Sequence, residues 1–152
     1  MRKPEQLLWD TMKRNLQKNH DIYAERIENA VGEGTPDVLL KARRQPGCAS
    51  NPTPFFVELK VGIAPKRDTT PIFGKRGAGG VRKSQENWHL KWHDAGGISF
   101  VLARIKGREP RELFLFRGAL APRINEFDWN NFCYFAEPAH TWPQIFDLWR
   151  KL

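Results

Sequence analysis

Two short apolar segments restrict most strongly what this chain can fold into, because each of them contains charged residues. One spans residues 37–42 and begins with Asp37, and the other spans residues 55–61 and contains Glu58 and Lys60. Apolar runs of this length, bounded by turns rich in glycine and proline, are typical of buried strands. The sequence therefore predicts a central β-sheet with acidic residues and a lysine embedded in it.

Helices and further strands are predicted around that sheet. Apolar residues at helical spacing predict an amphipathic helix from Pro4 to Lys18. A second helix is predicted over residues 83–95, where Gly96 and Gly97 stop it. Further strands are predicted over residues 22–31, 98–103 and 112–116, a final helix from residue 142 or 143 to 152, and loops over residues 43–54 and 62–82. Residues 123–141 show no clear periodicity.

Composition favours one basic globular domain over residues 1–152. The chain is 40% hydrophobic and carries 25 Lys and Arg against 17 Asp and Glu, a net charge of +8. Such an excess favours a polyanionic partner, with nucleic acid as the first candidate. No apolar run reaches the length of a membrane span, and the start of the chain lacks the pattern of a signal peptide. Cys48 and Cys133 form no CxxC motif, so a reducing cytoplasm is expected.

The spacing of Glu58 and Lys60 determines how their side chains are arranged. Alternate residues of a strand share a face, so these two point the same way while Leu59 turns into the core. If the two strands are neighbours, Asp37 lies opposite Glu58. Adjacent carboxylates repel each other, and a divalent cation between them relieves that repulsion. The backbone carbonyl of Leu59 is a candidate for a further metal ligand.

A lysine beside such a metal indicates a reaction class. Lys60 would orient or deprotonate a water, or stabilise the charge that develops on a phosphate. The chemistry that fits is metal-assisted hydrolysis of a phosphodiester. Each fragment alone also has a simpler interpretation, in which Glu58 and Lys60 form a solvated pair and Asp37 is a turn residue. Their order, separation and strand context together favour the catalytic interpretation.

These motifs resemble a known family over residues 1–103, about two-thirds of the chain. The sequence is similar to the VRR-NUC branch of the PD-(D/E)XK nuclease superfamily, including phage members, in Gly34-Thr35-Pro36-Asp37, Glu58-Leu59-Lys60, Ser84-Gln85 at a helix start, and Gly96-Gly97 before a strand. The resemblance implies an α/β fold with a restriction-endonuclease-like core, in which helices flank a mixed central sheet. It also implies a Mg²⁺ or Mn²⁺ cofactor, DNA strand cleavage in replication, recombination or repair, and a bacterial host cell.

The resemblance also implies roles for single residues. Asp37 and Glu58 would be metal ligands, Lys60 the catalytic lysine, and Gln85 a residue close to the active site. The acidic residue that the family carries on its first helix is best matched by Glu5. Other candidates for that ligand remain open, namely Asp10, Glu28 and Glu33.

Basic residues are concentrated directly after the predicted site. Between residues 60 and 92 there are eight basic and two acidic residues, a net of +6 out of the chain's +8. Charge of this kind binds phosphates without sequence preference and makes affinity depend on salt. The predicted DNA contacts are Lys66, Arg67, Lys75, Arg76, Arg82 and Lys83.

Other candidate sites are less favoured. His89 and His93 have helical spacing, but the glutamate of an HExxH zinc motif is absent. Trp88 and Trp92 are predicted to pack in the core rather than stack on bases. The aromatic residues of the extension over residues 104–152 are likewise predicted to pack in the core rather than in a dimer interface.

The sequence thus predicts a metal-dependent DNA endonuclease that selects branched or junction DNA. Cutting two strands would need two active sites, which favours a homodimer. The alternative is a catalytically silent DNA-binding or scaffolding module with the same fold, and an RNA substrate stays open.

Overall fold

A computed structural model describes residues 3–18, 21–27, 32–47, 51–74 and 79–152. Its strands are β1 (Ile22–Arg26), β2 (Val38–Ala42), β3 (Phe55–Ile63), β4 (Ile98–Lys106) and β5 (Leu113–Arg117). Its α-helices are α1 (Pro4–Gln17), α2 (Lys83–Asp94), α3 (Ala121–Ile124), α4 (Trp129–Phe135) and α5 (Trp142–Arg150), with a short 3₁₀ turn at Gly118–Leu120.

The five strands form one mixed sheet in the order β1-β2-β3-β4-β5. Strands β3 and β4 are parallel, whereas the other three neighbouring pairs are antiparallel. A parallel pair needs a crossover connection, and α2 provides it between β3 and β4. The α/β class with a mixed central sheet flanked by helices, predicted from the sequence, is confirmed.

Helices cover both faces of this sheet because its strands are apolar on both sides. On one face, apolar side chains of α1 and α5 pack against β3 and β4, and Trp149 lies 5.4 Å from Phe55 between ring centroids. On the other face, Phe132 of α4 packs against Phe114 and Phe116 of β5. The C-terminal aromatic residues that are buried in these two cores are Phe114, Phe116, Phe127, Phe132, Phe146 and Trp149.

The element bounds follow the predicted pattern closely, with differences at the ends. Strands β3 and β4 extend past the predicted ends to Ile63 and Lys106. The region without periodicity contains α4, whose start is capped by the Asp128 carboxylate as it accepts the Asn131 N–H at 2.9 Å. A short helix whose few turns pack against two different neighbours shows no clear stripe in the sequence, which explains why the pattern missed it.

The glycine-rich segment between β3 and α2 is anchored in the core by three apolar residues. Ile72, Phe73 and Val81 are buried in the core beside β4 and β5. The described residues from Ala64 to Arg82 contain no helix or strand, as predicted for this loop, while Gly62 and Ile63 extend β3. The sequence pattern did not indicate that apolar residues anchor the loop to the core, for which burial of a few side chains is enough. Lys75, Arg76 and Cys48 lie outside the described residues. Within the described ranges, no helix has the length and apolar character needed to cross a membrane.

Candidate active site

The candidate site lies where β2 and β3 stop pairing. The last ladder pair toward this end is Val38 with Val57, and β3 continues from there to Ile63 with β4 on its other side. Asp37, directly before β2, accepts the backbone N–H of Leu59 at 2.8 Å through Oδ2. The side chain of Asp37 thus takes over the hydrogen bonding of the edge of β3 and is held beside Glu58.

The alternation of β3 places its charged residues on one face. Leu59 is 1% exposed and belongs to the core beneath α1 and α5, while Glu58 and Lys60 point toward α2. Glu58 is 1% exposed and Lys60 is 7% exposed. The Lys60 Nζ lies 3.0 Å from Glu58 Oε1, so the two side chains form a buried, hydrogen-bonded contact rather than a solvated pair.

Gln85 connects the first turn of α2 to Glu58. Its Oε1 accepts the backbone N–H of Arg82 at 2.9 Å, and its Nε2 donates to Glu58 Oε1 at 2.6 Å. Because an N–H group must bond to an oxygen, the first contact determines which end of the amide faces Glu58. Gln85 is therefore oriented as a donor toward the carboxylate.

Gly34 brings the turn before β2 against the start of α2. It has a φ of +87°, and a Cβ at this position would lie 2.2 Å from the carbonyl oxygen of Ser84. A side chain would be excluded both by the left-handed backbone and by this approach. Glycine at this place in the Gly34-Thr35-Pro36-Asp37 motif therefore lets the strand with Asp37 and the helix with Gln85 meet.

Glu58 has one oxygen in use and one without a partner. Burial and, to a lesser degree, the Asp37 carboxylate raise the pKa of Glu58 to about 8, against the opposing effect of Lys60. Oε1 receives both hydrogen bonds described above, whereas Oε2 is buried without any hydrogen-bond partner in the part of the chain that the structure describes. A buried carboxylate oxygen without a partner is costly, so a bound cation would stabilise this arrangement.

A cleft of about 770 Å³ opens above these groups. Its walls include six residues predicted from the sequence, which are Glu5, Asp37, Glu58, Leu59, Lys60 and Gln85, together with the predicted DNA contact Arg82. Four further residues line it, namely Lys3, Gln6, Arg26 and Ile27.

The remaining predicted residues lie elsewhere or outside the described ranges. Lys66, Arg67 and Lys83 are exposed and do not line the cleft, and Lys83 pairs with Glu86 at 3.3 Å. Among the alternatives for the helix ligand, Asp10 accepts the Gln6 amide at 2.9 Å and Glu33 is exposed. Neither lines the cleft, unlike Glu5. Lys75, Arg76 and Glu28 fall outside the described residues.

Three basic residues, Lys3, Arg26 and Arg82, form a cationic rim around the cleft. Of these, the sequence predicted only Arg82 as a DNA contact, and Lys3 and Arg26 were missed. Arg26, the last residue of β1, donates through Nη1 to Gln6 Oε1 of α1. A single arginine at a strand end carries no local signal, and only the packing of α1 beside β1 and β3 shows that it faces the cleft.

His89 is a core residue. It is fully buried, and its Nδ1 lies 2.7 Å from the hydroxyl of Ser99, while His93 is exposed. Burial lowers the pKa of His89 to about 4, helped by the charge of Lys60, so the ring is neutral near pH 7. Trp88 and Trp92 are half-buried and pack edge-on against Phe56 at 5.1 and 5.3 Å between centroids, which fits a structural role.

The donor set fits a hard divalent cation with few protein ligands. No group of three His, Cys, Asp or Glu side chains is arranged for metal binding within the described ranges. Mg²⁺ is usually held by one or two carboxylates while it keeps several waters and binds substrate phosphates. Asp37 and the unpartnered oxygen of Glu58 meet that requirement. In an extended strand the N–H and C=O of one residue point to the same side, so the Leu59 carbonyl faces the edge where Asp37 lies.

Comparison with known proteins shows the fold of this chain. No family model matches the sequence, and no curated protein shows significant sequence similarity to it. Among solved structures, the chain is similar to Hjc of Archaeoglobus fulgidus, a Holliday junction resolvase from an archaeal hyperthermophile. The two share 13% sequence identity and superpose with a TM-score of 0.50, over 88% of this chain and 91% of that chain. The chain therefore has the restriction-endonuclease-like fold, across nearly its whole length.

Proposed function

We propose that this protein is a divalent-metal-dependent DNA endonuclease of the PD-(D/E)XK superfamily, with motifs most similar to the VRR-NUC branch. One observation carries the proposal: Asp37, Glu58 and Lys60 converge at a break in the sheet, and Glu58 presents an unpartnered buried oxygen there. A binding module has no need for two adjacent carboxylates that destabilise it. Residues 104–152 belong to the same domain in this proposal, because their aromatic side chains help fill the cores on both faces of the sheet.

The proposed direct metal ligands are Asp37, Glu58 and the carbonyl of Leu59. Glu5, from the first turn of α1, lines the same cleft and is proposed to contact the metal through one of its waters, since no three acids of the described residues are arranged to bind one ion directly. When bound, Mg²⁺ or Mn²⁺ would polarise the scissile phosphate and lower the pKa of a coordinated water. Asp37 is held in place by the Leu59 N–H, and Glu58 by Lys60 and Gln85. Both acids are thus positioned before substrate binds, which lowers the cost of assembling the site.

Lys60 is proposed to act on the reacting phosphate. Its ammonium is anchored at 3.0 Å from Glu58 Oε1 and lies in the wall of the cleft. An ammonium donates up to three hydrogen bonds, so it can keep this contact while it donates to the attacking water or to a phosphate oxygen. In this position it would orient the nucleophile and neutralise charge that develops in the transition state.

The cationic rim of the cleft is proposed to bind the DNA backbone on both sides of the scissile phosphate. Lys3, Arg26 and Arg82 line the same cleft as the two carboxylates, and their positive charge would attract a polyanion to it. Phosphate contacts of this type position DNA without reading its sequence. The exposed residues Lys66, Arg67 and Lys83, with Lys75 and Arg76, are proposed to extend this contact beyond the cleft.

Branched DNA, including four-way junctions, is the proposed substrate, and a homodimer the proposed active form. The sequence contains no recognisable base-reading module, which favours recognition of shape. The structural neighbour is a Holliday junction resolvase, which supports the same substrate class. The described part of one chain presents one such site, so paired incisions are proposed to require two copies.

A cleavage assay with matched substrates tests the proposal. Purified protein would be incubated with a four-way junction, a linear duplex, a single strand and an RNA of the same sequence, in Mg²⁺, Mn²⁺ or EDTA. We expect metal-dependent cleavage with preference for the junction, and loss of cleavage in Asp37→Asn, which retains an oxygen for the Leu59 N–H. Asp147→Asn, which changes an exposed acid of α5, is the matched control.

The same assay distinguishes the alternatives. Binding of the junction without cleavage in either metal would show a silent module and overturn the enzyme proposal. Preferred cleavage of RNA would keep the nuclease but change its substrate. Sedimentation of protein with an intact junction in EDTA would show two chains per junction if the homodimer is correct.

A further inference from the structure

The side chain of Asn125 forms two hydrogen bonds with the backbone of Val81. The Val81 N–H donates to Asn125 Oδ1 at 2.9 Å, and Asn125 Nδ2 donates to the Val81 carbonyl at 2.7 Å. Asn125 directly follows α3, in the part of the chain beyond the family motifs, while Val81 lies two residues before α2. This pair of bonds, the Asn125–Val81 clamp, thus joins segments 44 positions apart.

The clamp is closely fitted. Val81 is 3% exposed, so its backbone groups have little access to water as a substitute partner. A Cβ on Gly80 would lie 2.5 Å from Asn125 Oδ1 and 3.0 Å from the Cβ of Phe73. Glycine at position 80 therefore leaves the space that the Asn125 amide occupies.

The clamp is connected to the candidate metal ligand by one peptide bond, from Val81 to Arg82, and two further hydrogen bonds. The next residue after Val81 is Arg82, whose N–H donates to Gln85 Oε1 at 2.9 Å. The other end of that amide donates to Glu58 Oε1 at 2.6 Å. The clamp fixes the backbone at Val81 directly before these contacts, and it also determines where the Arg82 side chain enters the cleft.

We propose that Asn125 is a positioning residue for the active site, and this inference rests on the nuclease function proposed above. Asn125 holds the entry to α2 in the one place where the Gln85 amide reaches Glu58 and Arg82 lines the cleft. The segment after β5 thereby contributes to catalysis without contacting substrate. This gives a role to part of the chain that has no counterpart in the motifs of the smaller family core.

Loss of Asn125 is expected to lower activity because small displacements of groups that orient metal ligands are costly. Loss of the Asn125 amide leaves both polar groups of Val81 without partners, so the backbone shifts to reach water. Groups that orient metal ligands from outside typically change affinity or activity by about 10- to 100-fold when they are removed. Displacement of Gln85 is expected to lower kcat in that range because Gln85 orients Glu58, whereas displacement of Arg82 is expected to weaken DNA binding.

Nuclear magnetic resonance tests the inference without substrate. We expect Asn125→Ala to lower the hydrogen-exchange protection of the Val81 and Arg82 amides and to move the Gln85 side-chain amide resonances toward those of a free glutamine. Asn131→Ala is the matched control, because it removes an amide that accepts the backbone N–H of Asp128, the residue that caps α4, away from the entry to α2. Asn125→Asp is a second variant, which keeps the acceptor for Val81 N–H but replaces the donor.

Kinetics then test whether Asn125 acts through Gln85. With kcat corrected for the folded fraction, Asn125→Ala is expected to reduce kcat for junction cleavage about tenfold in the wild-type background. In a Gln85→Ala background the same change is expected to reduce kcat less than about twofold, since the group it positions is already gone.

The outcomes separate this inference from the proposed function. Unchanged Gln85 resonances in both Asn125→Ala and Asn125→Asp would overturn the positioning role even if the wild-type protein cleaves DNA. Additive effects on kcat in the two backgrounds would overturn it as well. A wild-type protein that cleaves nothing would remove the nuclease proposal, while the resonance shifts would still report whether Asn125 positions Gln85.

Discussion

Asp37 accepts the backbone N–H of Leu59 at 2.8 Å and is thereby attached to the strand that carries Glu58 and Lys60. This bond replaces a ladder contact at the point where β2 and β3 stop pairing. The Asp37 carboxylate consequently satisfies a backbone N–H at the edge of β3 and also lines the candidate site. Two acids that repel each other are kept adjacent because each has its own donor, the Leu59 N–H for Asp37 and Lys60 with Gln85 for Glu58.

Replacement of Lys60 is expected to remove catalysis while DNA binding is largely kept. Lys60→Met preserves the length and apolar stem of the side chain but removes the ammonium beside Glu58. We expect cleavage to fall by about 10²-fold or more, the range for a positioned catalytic group. Lys91→Met, at an exposed position of α2, serves as the control. Single-turnover cleavage and filter binding in EDTA measure the two effects, and near-normal cleavage by Lys60→Met would contradict the assigned role.

The metal-free protein is expected to lose stability as pH rises because of Glu58. The pKa of Glu58 is about 8 in the folded state and near its ordinary value of 4.5 when unfolded. Between these values the folded state retains a proton that the unfolded state has released, so the contribution of this group makes the free energy of unfolding fall as pH rises through that range. Glu58→Gln should remove that dependence and be the more stable protein at pH 8 in EDTA.

Added metal should make the wild-type protein more stable than Glu58→Gln, the reverse of the order expected in EDTA. Mn²⁺ favours the ionised Glu58 and stabilises the wild-type protein by mass action, whereas Glu58→Gln has lost one ligand. Denaturant melts at pH 5 to 8 with and without Mn²⁺ measure both effects. A wild-type protein whose melts are insensitive to Mn²⁺ at pH 8 would argue against a metal site at Glu58.

The cationic rim is expected to contribute to the salt dependence of DNA binding. Arg26→Gln and Arg82→Gln should each reduce the slope of log K against log salt by about one, as expected when one phosphate contact is lost. Lys13→Gln, at an exposed position of α1 that does not line the cleft, should leave the slope nearly unchanged. Fluorescence anisotropy with a labelled junction over a series of salt concentrations gives the slopes. Equal slopes for all four proteins would place the DNA elsewhere.

Gly34 is expected to be much less tolerant of substitution than another glycine with the same backbone conformation. Gly34 and Gly47 have φ values of +87° and +85°, but only Gly34 lies against backbone, 2.2 Å from Ser84 O when a Cβ is added. Gly47→Ala should cost about 1 kcal/mol of stability from the left-handed backbone alone. Gly34→Ala should cost about 3 kcal/mol or more and also reduce cleavage, since it separates α2 from the turn before Asp37. Similar melts for the two variants would show that this contact is unimportant.

Much of the fold was predictable because its signals are local. The two-residue period of β3 determines that Glu58 and Lys60 share a face, and the apolar spacing of α1 determines which side is buried. Sequence patterns predicted the structure less well where a few buried apolar residues determine the conformation of a segment that is otherwise polar or glycine-rich. Phe73 and Val81 anchor a glycine-rich segment, and α4 is too short for its stripe to stand out.

The sequence by itself determined the identity and spacing of the acids and the lysine, because these depend on strand geometry within a few residues. Only the tertiary structure decided which other groups meet them. Arg26 reaches the cleft through the packing of α1 beside β1, and Asn125 reaches Val81 across 44 positions of chain. Contacts of this kind follow from sheet register and from how helices cross the sheet, and no local periodicity in the chain encodes either of these.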